Sequence, residues 1–416
     1  MKCRHCQSEL TLPLIDLGAA PPSNAYLTRQ TVHLPEKHFP LRVLVCTECW
    51  LAQTEDYARA NELFSADYAY FSSCSTTWLK HAEQYVADMV QRFKLNVNSR
   101  IVEVAANDGY LLQFVQARGI PCMGIEPTAS TAIAARARGI EIIEDFFGVK
   151  LAKKMVVQGK QADLAVANNV LAHVPDINDF VQGFAVLLQP SGVVTFEFPH
   201  LLRLVSGNQF DTIYHEHYSY LSLTAVQRIL ECNGLKMFDV ETLPTHGGSL
   251  RVYAQRSDSG RRELSQNVAT LLAGEAAAGM TTPAFYIDFQ VRADQVKDDF
   301  LSFLIEAKRS EKTVVGYGAA AKGNTLLNYA GVKPDLLPCV CDTAPSKQGK
   351  FLPGSQIPIL HPSRLRELRP DIVLVLPWNI ADEVVKQHEY IRDWGGAFVV
   401  AVPTLRKIKA QGAENS

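Results

Sequence analysis

No apolar run in this 416-residue chain reaches the roughly 18–20 residues that a membrane-spanning helix requires, so no span is expected. Excess charge of one sign is also missing. The chain has 41 Lys and Arg against 43 Asp and Glu, a formal net charge of −2. A nearly neutral surface gives no electrostatic reason to expect nucleic acid or an anionic membrane as a partner. The opening residues Met1 to Cys6 lead into no apolar core, so no secretory signal is expected and the cytoplasm is the expected compartment. Hydrophobic residues make up 47% of the chain and charged residues 20%, which predicts folded domains and not disorder. At roughly 100–200 residues per domain, the length suggests about two to four domains. Nothing in the pattern fixes the oligomeric state beyond a monomer or weak oligomer.

Strand-like and helix-like runs alternate twice along the chain. The first series has candidate strands at Arg100–Ala105, Cys122–Glu126, Leu164–Ala167, Val193–Phe198 and Leu250–Tyr253. The second has them at Thr313–Gly316, Leu337–Cys341, Ile372–Val375 and Ala397–Val400. Such alternation predicts α/β units with parallel, doubly wound sheets. Between them, Phe300, Leu301, Phe303, Leu304 and Ala307 recur at helical spacing among charges. The expected division is therefore 1–72, 73–258, a helical connector over 259–311, and 312–416.

Nine cysteines are present, and four fall in two Cys-x-x-Cys pairs, Cys3 with Cys6 and Cys46 with Cys49. Each pair lets one tight turn supply two corners of a tetrahedron, so the four predict a closed, structural Zn²⁺ site. A redox pair or buried free thiols is the alternative, and His5 stands inside the first turn as a competing ligand.

The turn after the first strand of the larger series reads Glu103, Val104, Ala105, Ala106, Asn107, Asp108, Gly109. Glu126 ends the next strand. A small-residue turn lets a ligand approach the backbone, and a strand-end carboxylate can accept hydrogen bonds from both ribose hydroxyls. The Gly-x-Gly-x-x-Gly pattern that brings backbone close to a pyrophosphate is lacking, which favours S-adenosylmethionine (SAM) over a dinucleotide. Asp145 and Phe146 follow a third strand-like run and are candidates for the adenine. Asn168, Asn169 and His173 follow the fourth strand and are candidates for the sulfonium end, although the two asparagines can instead cap a helix.

Tyr214, His215, Glu216, His217 and Tyr218 concentrate acid–base chemistry in five residues, and imidazole suits proton removal near neutral pH. A second metal and a purely structural polar turn are the competing readings. Further on, Gly316, Tyr317, Gly318, Ala320, Lys322 and Asn324 lie where a strand turns into a helix. This placement favours an anion such as a pyrophosphate. Lys347, Lys350, Trp378 and Asn379 are further candidates for lining that site.

Taken in order, several runs resemble SAM-dependent nucleotide-sugar C-methyltransferases, the group that includes tetronitrose C-3′-methyltransferase. They are Cys3 to Tyr26, Cys46–Cys49, Glu103–Leu112, Asn168–Val174, Glu197–His200, Tyr214–Tyr218, His246–Arg251 and Gly316–Asn324. The resemblance spans essentially the whole chain. It implies a small zinc-binding N-terminal domain, a SAM-binding Rossmann-like domain and a C-terminal Rossmann-like α/β domain. It also implies methylation at C3 of a nucleotide-diphosphate 4-keto-deoxysugar, with His217 as base and Glu216 and Tyr214 in support. Tyr68 or Tyr70 would approach the substrate, and the Gly316–Asn324 loop would hold the diphosphate. His246 and Arg251 are set beside the substrate by analogy alone. O- or N-methylation of a similar sugar, an NAD-dependent oxidoreductase using Asp342, and a non-catalytic zinc-bearing binding protein are the competing classes.

Overall fold

A computed structural model describes residues 1–55, 57 and 71–409. Two compact units interleave along the chain. One comprises Met1–Leu12, Leu44–Leu202 and His217–Phe285; the other comprises Pro13–Val43, Arg203–Glu216 and Tyr286–Ser416. These units cut across the boundaries expected from sequence, because residues 13–43 and 203–216 pack with the C-terminal half.

The first strands are β1 (Leu12–Ala20), β2 (Phe39–Val45), β3 (Ala52–Thr54), β4 (Ile101–Val104), β5 (Cys122–Ile125) and β6 (Glu141–Ile143). They are followed by β7 (Ala162–Asn168), β8 (Leu188–Pro199), β9 (Ser219–Tyr220), β10 (Leu235–Leu243) and β11 (Ser249–Arg256). The C-terminal half adds β12 (Val314–Tyr317), β13 (Val340–Cys341), β14 (Ile359–Leu360), β15 (Ile372–Val375), β16 (Ala397–Val400) and β17 (Arg406–Ile408).

In the first unit, seven strands form one sheet in the order β10-β11-β8-β7-β4-β5-β6. Its central strands are apolar on both sides; all four residues of β4 are buried. The helix Thr76–Phe93 covers one face. Its buried residues Ala82, Tyr85, Val86 and Met89 repeat at helical spacing, and the Ser75 side chain caps its first turn by accepting from Trp78 N. The helix Ile177–Leu187 covers the other face with Ile177, Phe180, Val181, Phe184 and Leu187, capped by Asp176. The cysteines Cys3, Cys46 and Cys49 belong to the core on this second face.

The sheet is not wholly parallel, as the sequence reading expected. β11 runs antiparallel to both β8 and β10. It is reached from β10 by the short turn Thr245–Gly248, and a turn that short joins only antiparallel strands. β10 itself was not anticipated. Among the parallel strands, β4 has β5 on one side and β7 on the other. The chain therefore reverses its direction of winding at β4, and the crevice at the carboxyl ends of β4 and β7 is the place where such sheets bind ligands.

In the second unit, the sheet order is β14-β13-β12-β15-β16-β17, parallel except for β17. Its winding reverses at β12, between β13 and β15. The expected strand Leu337–Cys341 is shortened to β13 because Pro338 has no N–H to give a ladder.

The turn after β4 depends on left-handed backbone at Ala105 (φ 59°), Asn107 (φ 49°) and Gly109 (φ 78°). A Cβ on Gly109 would stand 2.3 Å from Ile140 Cδ1. Gly109→Ala is therefore expected to cost about 1–3 kcal/mol from the strained φ and the overpacking together. Urea unfolding followed by circular dichroism checks this.

Candidate active site

The carboxyl ends of β4, β5 and β7 gather most of the sequence-predicted cofactor residues. Glu126 is buried just past β5. Its Oε2 accepts from Asn107 N at 2.9 Å and its Oε1 from Thr128 N at 2.9 Å. These bonds fix the carboxylate against the left-handed turn. Glu103 faces inward from β4. Burial pushes its carboxyl well above the usual range, with the charges of Glu126 and Asp108 adding to the rise. Asp108 is held by the Ser73 hydroxyl and by Arg138, so it stabilises the turn. Asp145 accepts from Phe146 N at 2.8 Å, and the Phe146 ring is 53% exposed beyond β6.

At the end of β7, Asn169 is left-handed (φ 52°) and donates its N–H to Glu197 O at 2.7 Å. Asn168 Oδ1 is buried without a hydrogen-bond partner. The next turn carries His173, whose ring meets that of His217 edge-on with centroids 4.6 Å apart. Tyr220 packs on the other side of His217 at 5.8 Å. The backbone closes the arrangement, since Tyr218 N donates to Ala172 O at 2.8 Å. His217 is 8% exposed. The division between the compact units falls between Glu216 and His217.

The four cysteines converge in the first unit, with all four sulfurs within 4.8 Å of one another. Cys3 Sγ lies 3.5 Å from Cys49 Sγ, and Cys6 Sγ lies 3.5 Å from Cys46 Sγ. The two turns are built alike. Gln7 N donates to Cys3 O at 3.0 Å and Trp50 N to Cys46 O at 2.9 Å, and both Gln7 and Trp50 are left-handed at φ 63°. A tetrahedron with Zn–S near 2.3 Å has edges of about 3.8 Å, so the sulfurs fit Zn²⁺. His5 is not a competing ligand, because its Nδ1 lies 2.7 Å from Asn178 Oδ1. Among the described residues, this is the single group with metal-binding geometry, and the histidines of the Tyr214–Tyr218 run are not part of another.

The second unit brings together residues that sequence placed far apart. Lys322 Nζ donates to Asn379 Oδ1 at 2.6 Å and lies 4.9 Å from the Trp378 ring centre. Trp378 Nε1 donates to Asp211 Oδ2 at 2.8 Å. Gly318 (φ 89°) sits against Pro377, where a Cβ would come within 2.4 Å of the ring. Lys347 Nζ donates to Ala319 O at 3.0 Å and pairs with Asp342 at 3.5 Å. Asp342 also accepts from Ala319 N at 2.7 Å. Asn324 is buried with neither side-chain atom hydrogen-bonded. Lys350 lies half-buried in the turn toward β14, bonded through its backbone to Lys347 and Ile359. Glu216 Oε1 accepts from Asn24 Nδ2 at 3.0 Å, and burial raises its carboxyl.

Comparison with known proteins gives one consistent answer along the chain. Residues 3–64 match a zinc-binding domain family, 78–240 a methyltransferase domain, and 244–403 the C-methyltransferase C-terminal domain. The C-methyltransferase NovU of Streptomyces niveus is 33% identical over 410 residues, covering 99% of this chain and 97% of that protein. This chain belongs to the SAM-dependent C-methyltransferases. A shorter match, 28% over 99 residues, joins 23% of it to 41% of the ubiquinone biosynthesis O-methyltransferase of Bordetella avium. Among solved structures, magnesium protoporphyrin IX methyltransferase from Synechocystis aligns with 43% of the chain and 79% of its own length, at 17% identity and a TM-score of 0.33.

The crevice of this C-methyltransferase suits its cofactor. Glu126 would take the ribose hydroxyls, Phe146 the adenine ring, and the orphaned Asn168 oxygen the amino-acid end. Four further sequence-predicted residues have partners within the protein. Arg251 is buried in an ion pair with Glu197 at 2.7 Å and lies over the Tyr85 ring, so its guanidinium holds the sheet together. His246 packs 5.2 Å from Trp78. Tyr317 bonds His388 through its hydroxyl at 2.8 Å, leaving only its backbone to the loop. His215 lies 3.1 Å from Phe39 O through Nε2, and burial lowers its basicity. Tyr68 and Tyr70 lie outside the described residues. Sequence reasoning missed Asp211, Asn24 and Thr54, whose partners stand more than 160 residues away.

Asp211 is fully buried, and burial pushes its carboxyl up to about 6. A raised acid pKa means that the folded state binds the proton more tightly than the unfolded chain does. Stability from this group is therefore full below about pH 4 and falls as pH rises to about 6. Over that window, Asp211→Asn is expected to spare the protein a loss on the order of 2–3 kcal/mol. Denaturant unfolding of both proteins from pH 4 to 8 checks the difference.

Proposed function

We propose that this C-methyltransferase acts on a nucleotide-linked 4-keto-deoxysugar at C3, with His217 as the base. A hydrogen on carbon is a poor acid unless an adjacent ketone can take the charge as an enolate. Carbon methylation therefore needs a base that O- or N-methylation does without. The observation that carries this reading is the imidazole of His217, buried edge-on against His173 at the end of β7. That is the end of the sheet where the cofactor crevice lies. The sugar class and the position C3 are supported by the resemblance alone, whereas the full-length likeness to the NovU C-methyltransferase supports methylation at carbon.

Bound SAM supplies an electrophilic methyl group. His217 accepts the proton from the carbon beside the ketone and holds it while the new carbon–carbon bond forms. His173 limits the tilt of that ring. Tyr214 and Glu216, just before the base in the chain, are read as its support; tyrosine hydroxyls, with Tyr68 or Tyr70 as candidates, or a neighbouring histidine would stabilise charge on the enolate oxygen. In the second unit, Lys322 and the start of the helix Ala321–Tyr329 form the cationic end of the Gly316–Asn324 loop, and this loop is read as the diphosphate site.

His217→Asn is expected to lower kcat by roughly 10²–10⁴-fold while SAM affinity stays unchanged. Mass spectrometry of a 4-keto-sugar nucleotide in heavy water should show deuterium uptake and a methyl gain with the wild type and neither with the variant. A variant that turns over at the wild-type rate would remove His217 from the role.

A further inference from the structure

The four-cysteine site and the proposed base are joined by a continuous set of hydrogen bonds inside the first unit. Cys3 Sγ accepts from Gln53 Nε2 at 3.2 Å. The other end of the same amide, Gln53 Oε1, accepts from Arg4 N at 2.8 Å. Gln53 is 0% exposed, so both halves of its amide are satisfied within the protein. The next residue, Thr54, is 4% exposed and uses all three of its polar groups. Its carbonyl accepts from Arg4 Nη2 at 2.8 Å, its N–H donates to Tyr218 O at 3.1 Å, and its hydroxyl donates to His217 O at 3.1 Å.

We propose that Thr54 is a positioning residue for catalysis, which transmits the rigidity of the cysteine site to the backbone that carries His217. The inference rests on the reading of His217 as base. A general base loses effectiveness when it sits a fraction of an ångström from its proton. His217 stands at the start of the segment entering β9, a strand of two residues, which cannot fix its own register. Thr54 supplies the missing constraint twice, through its N–H and through its hydroxyl. The β-branched side chain of threonine has few χ1 choices, so the hydroxyl is held in place with little entropy to lose.

The test uses the zinc-loaded full chain with Thr54→Val, which keeps the shape and removes the donor, and Thr54→Ser, which keeps the donor. Zinc content, melting temperature, SAM affinity by calorimetry, and kcat and KM on a 4-keto-sugar nucleotide are measured for each. The expected result is a roughly tenfold fall in kcat for T54V, the worth of about one hydrogen bond. KM, zinc content and SAM affinity should stay within about twofold, and T54S should recover most of the rate. A T54V enzyme at full rate overturns the proposal, as does one whose loss comes with lost zinc or weaker SAM binding. His217→Asn in the same assay separates the two ideas. An active H217N removes the base assignment itself, whereas an inactive H217N beside a fully active T54V removes only the tether.

Discussion

A strand of two residues has almost no stability of its own, and β9 depends on what it is paired with. Ala52 lies opposite Tyr220 and Gln53 opposite Ser219, so the register of the segment after His217 is set by β3. β3 in turn leaves the second cysteine turn after only two residues, Trp50 and Leu51. With its thiolates closed around a metal, that turn cannot shift without breaking coordination. The resulting order of dependence runs from sulfur to Gln53, to Thr54, to the backbone of His217. The cysteine turns, more than 160 residues from His217 in sequence, are thereby linked to the backbone of that residue. The core reflects the same continuity, because the cysteines share one hydrophobic cluster with the helix Ile177–Leu187 and the strands of the large sheet.

The two sheets solve the same problem with different chemistry. Each reverses its winding beside its first strand, at β4 in one and β12 in the other, and each opens a crevice there. In the first, the Glu126 carboxylate stands just past β5, where it would suit a ligand of hydroxyls. In the second, the corresponding region carries Lys322, Lys347 and a helix start, which suit an anion. Asp211 tempers that positive end. It is buried beneath Trp378 and close enough to oppose the fall in Lys322 basicity that burial causes. Burial pushes the Asp211 carboxyl up to about 6, so it opposes Lys322 with a full negative charge only well above that pH.

Periodicity and local chemistry were enough to read most of the parallel strands, the cysteine site and the tight turn after β4 from sequence. Those features depend on contacts between residues close in the chain or on spacing alone. Cys-x-x-Cys turns, the Glu126 strand end and the alternation around β4 are of this kind. What stayed hidden depends on long-range packing. β11 reads as a strand, yet nothing in its residues says that it enters antiparallel; the short turn behind it decides that. The membership of residues 13–43 in the C-terminal unit has no local signature. Nor does the bond between Asp211 and Trp378.

Arg251 shows how much a motif residue does inside the protein itself. The run His246–Arg251 carries part of the family resemblance, and analogy alone sets Arg251 beside the substrate. Its guanidinium pairs with Glu197, which also meets His81, and with Glu241, through which the set extends to Arg92. Burial works against the charge on Glu197, but the His81 hydrogen bond and the Arg251 charge hold its carboxyl below the usual range. Glu197 is also the residue whose carbonyl receives Asn169 N, and its β8 segment pairs with the last residue of β7. Removing one partner of a buried ion set costs about 3–5 kcal/mol, because the other charge is left uncompensated. Arg251 thus acts on the end of β7 through Glu197, the residue that pairs with Asn168 and accepts from Asn169 N.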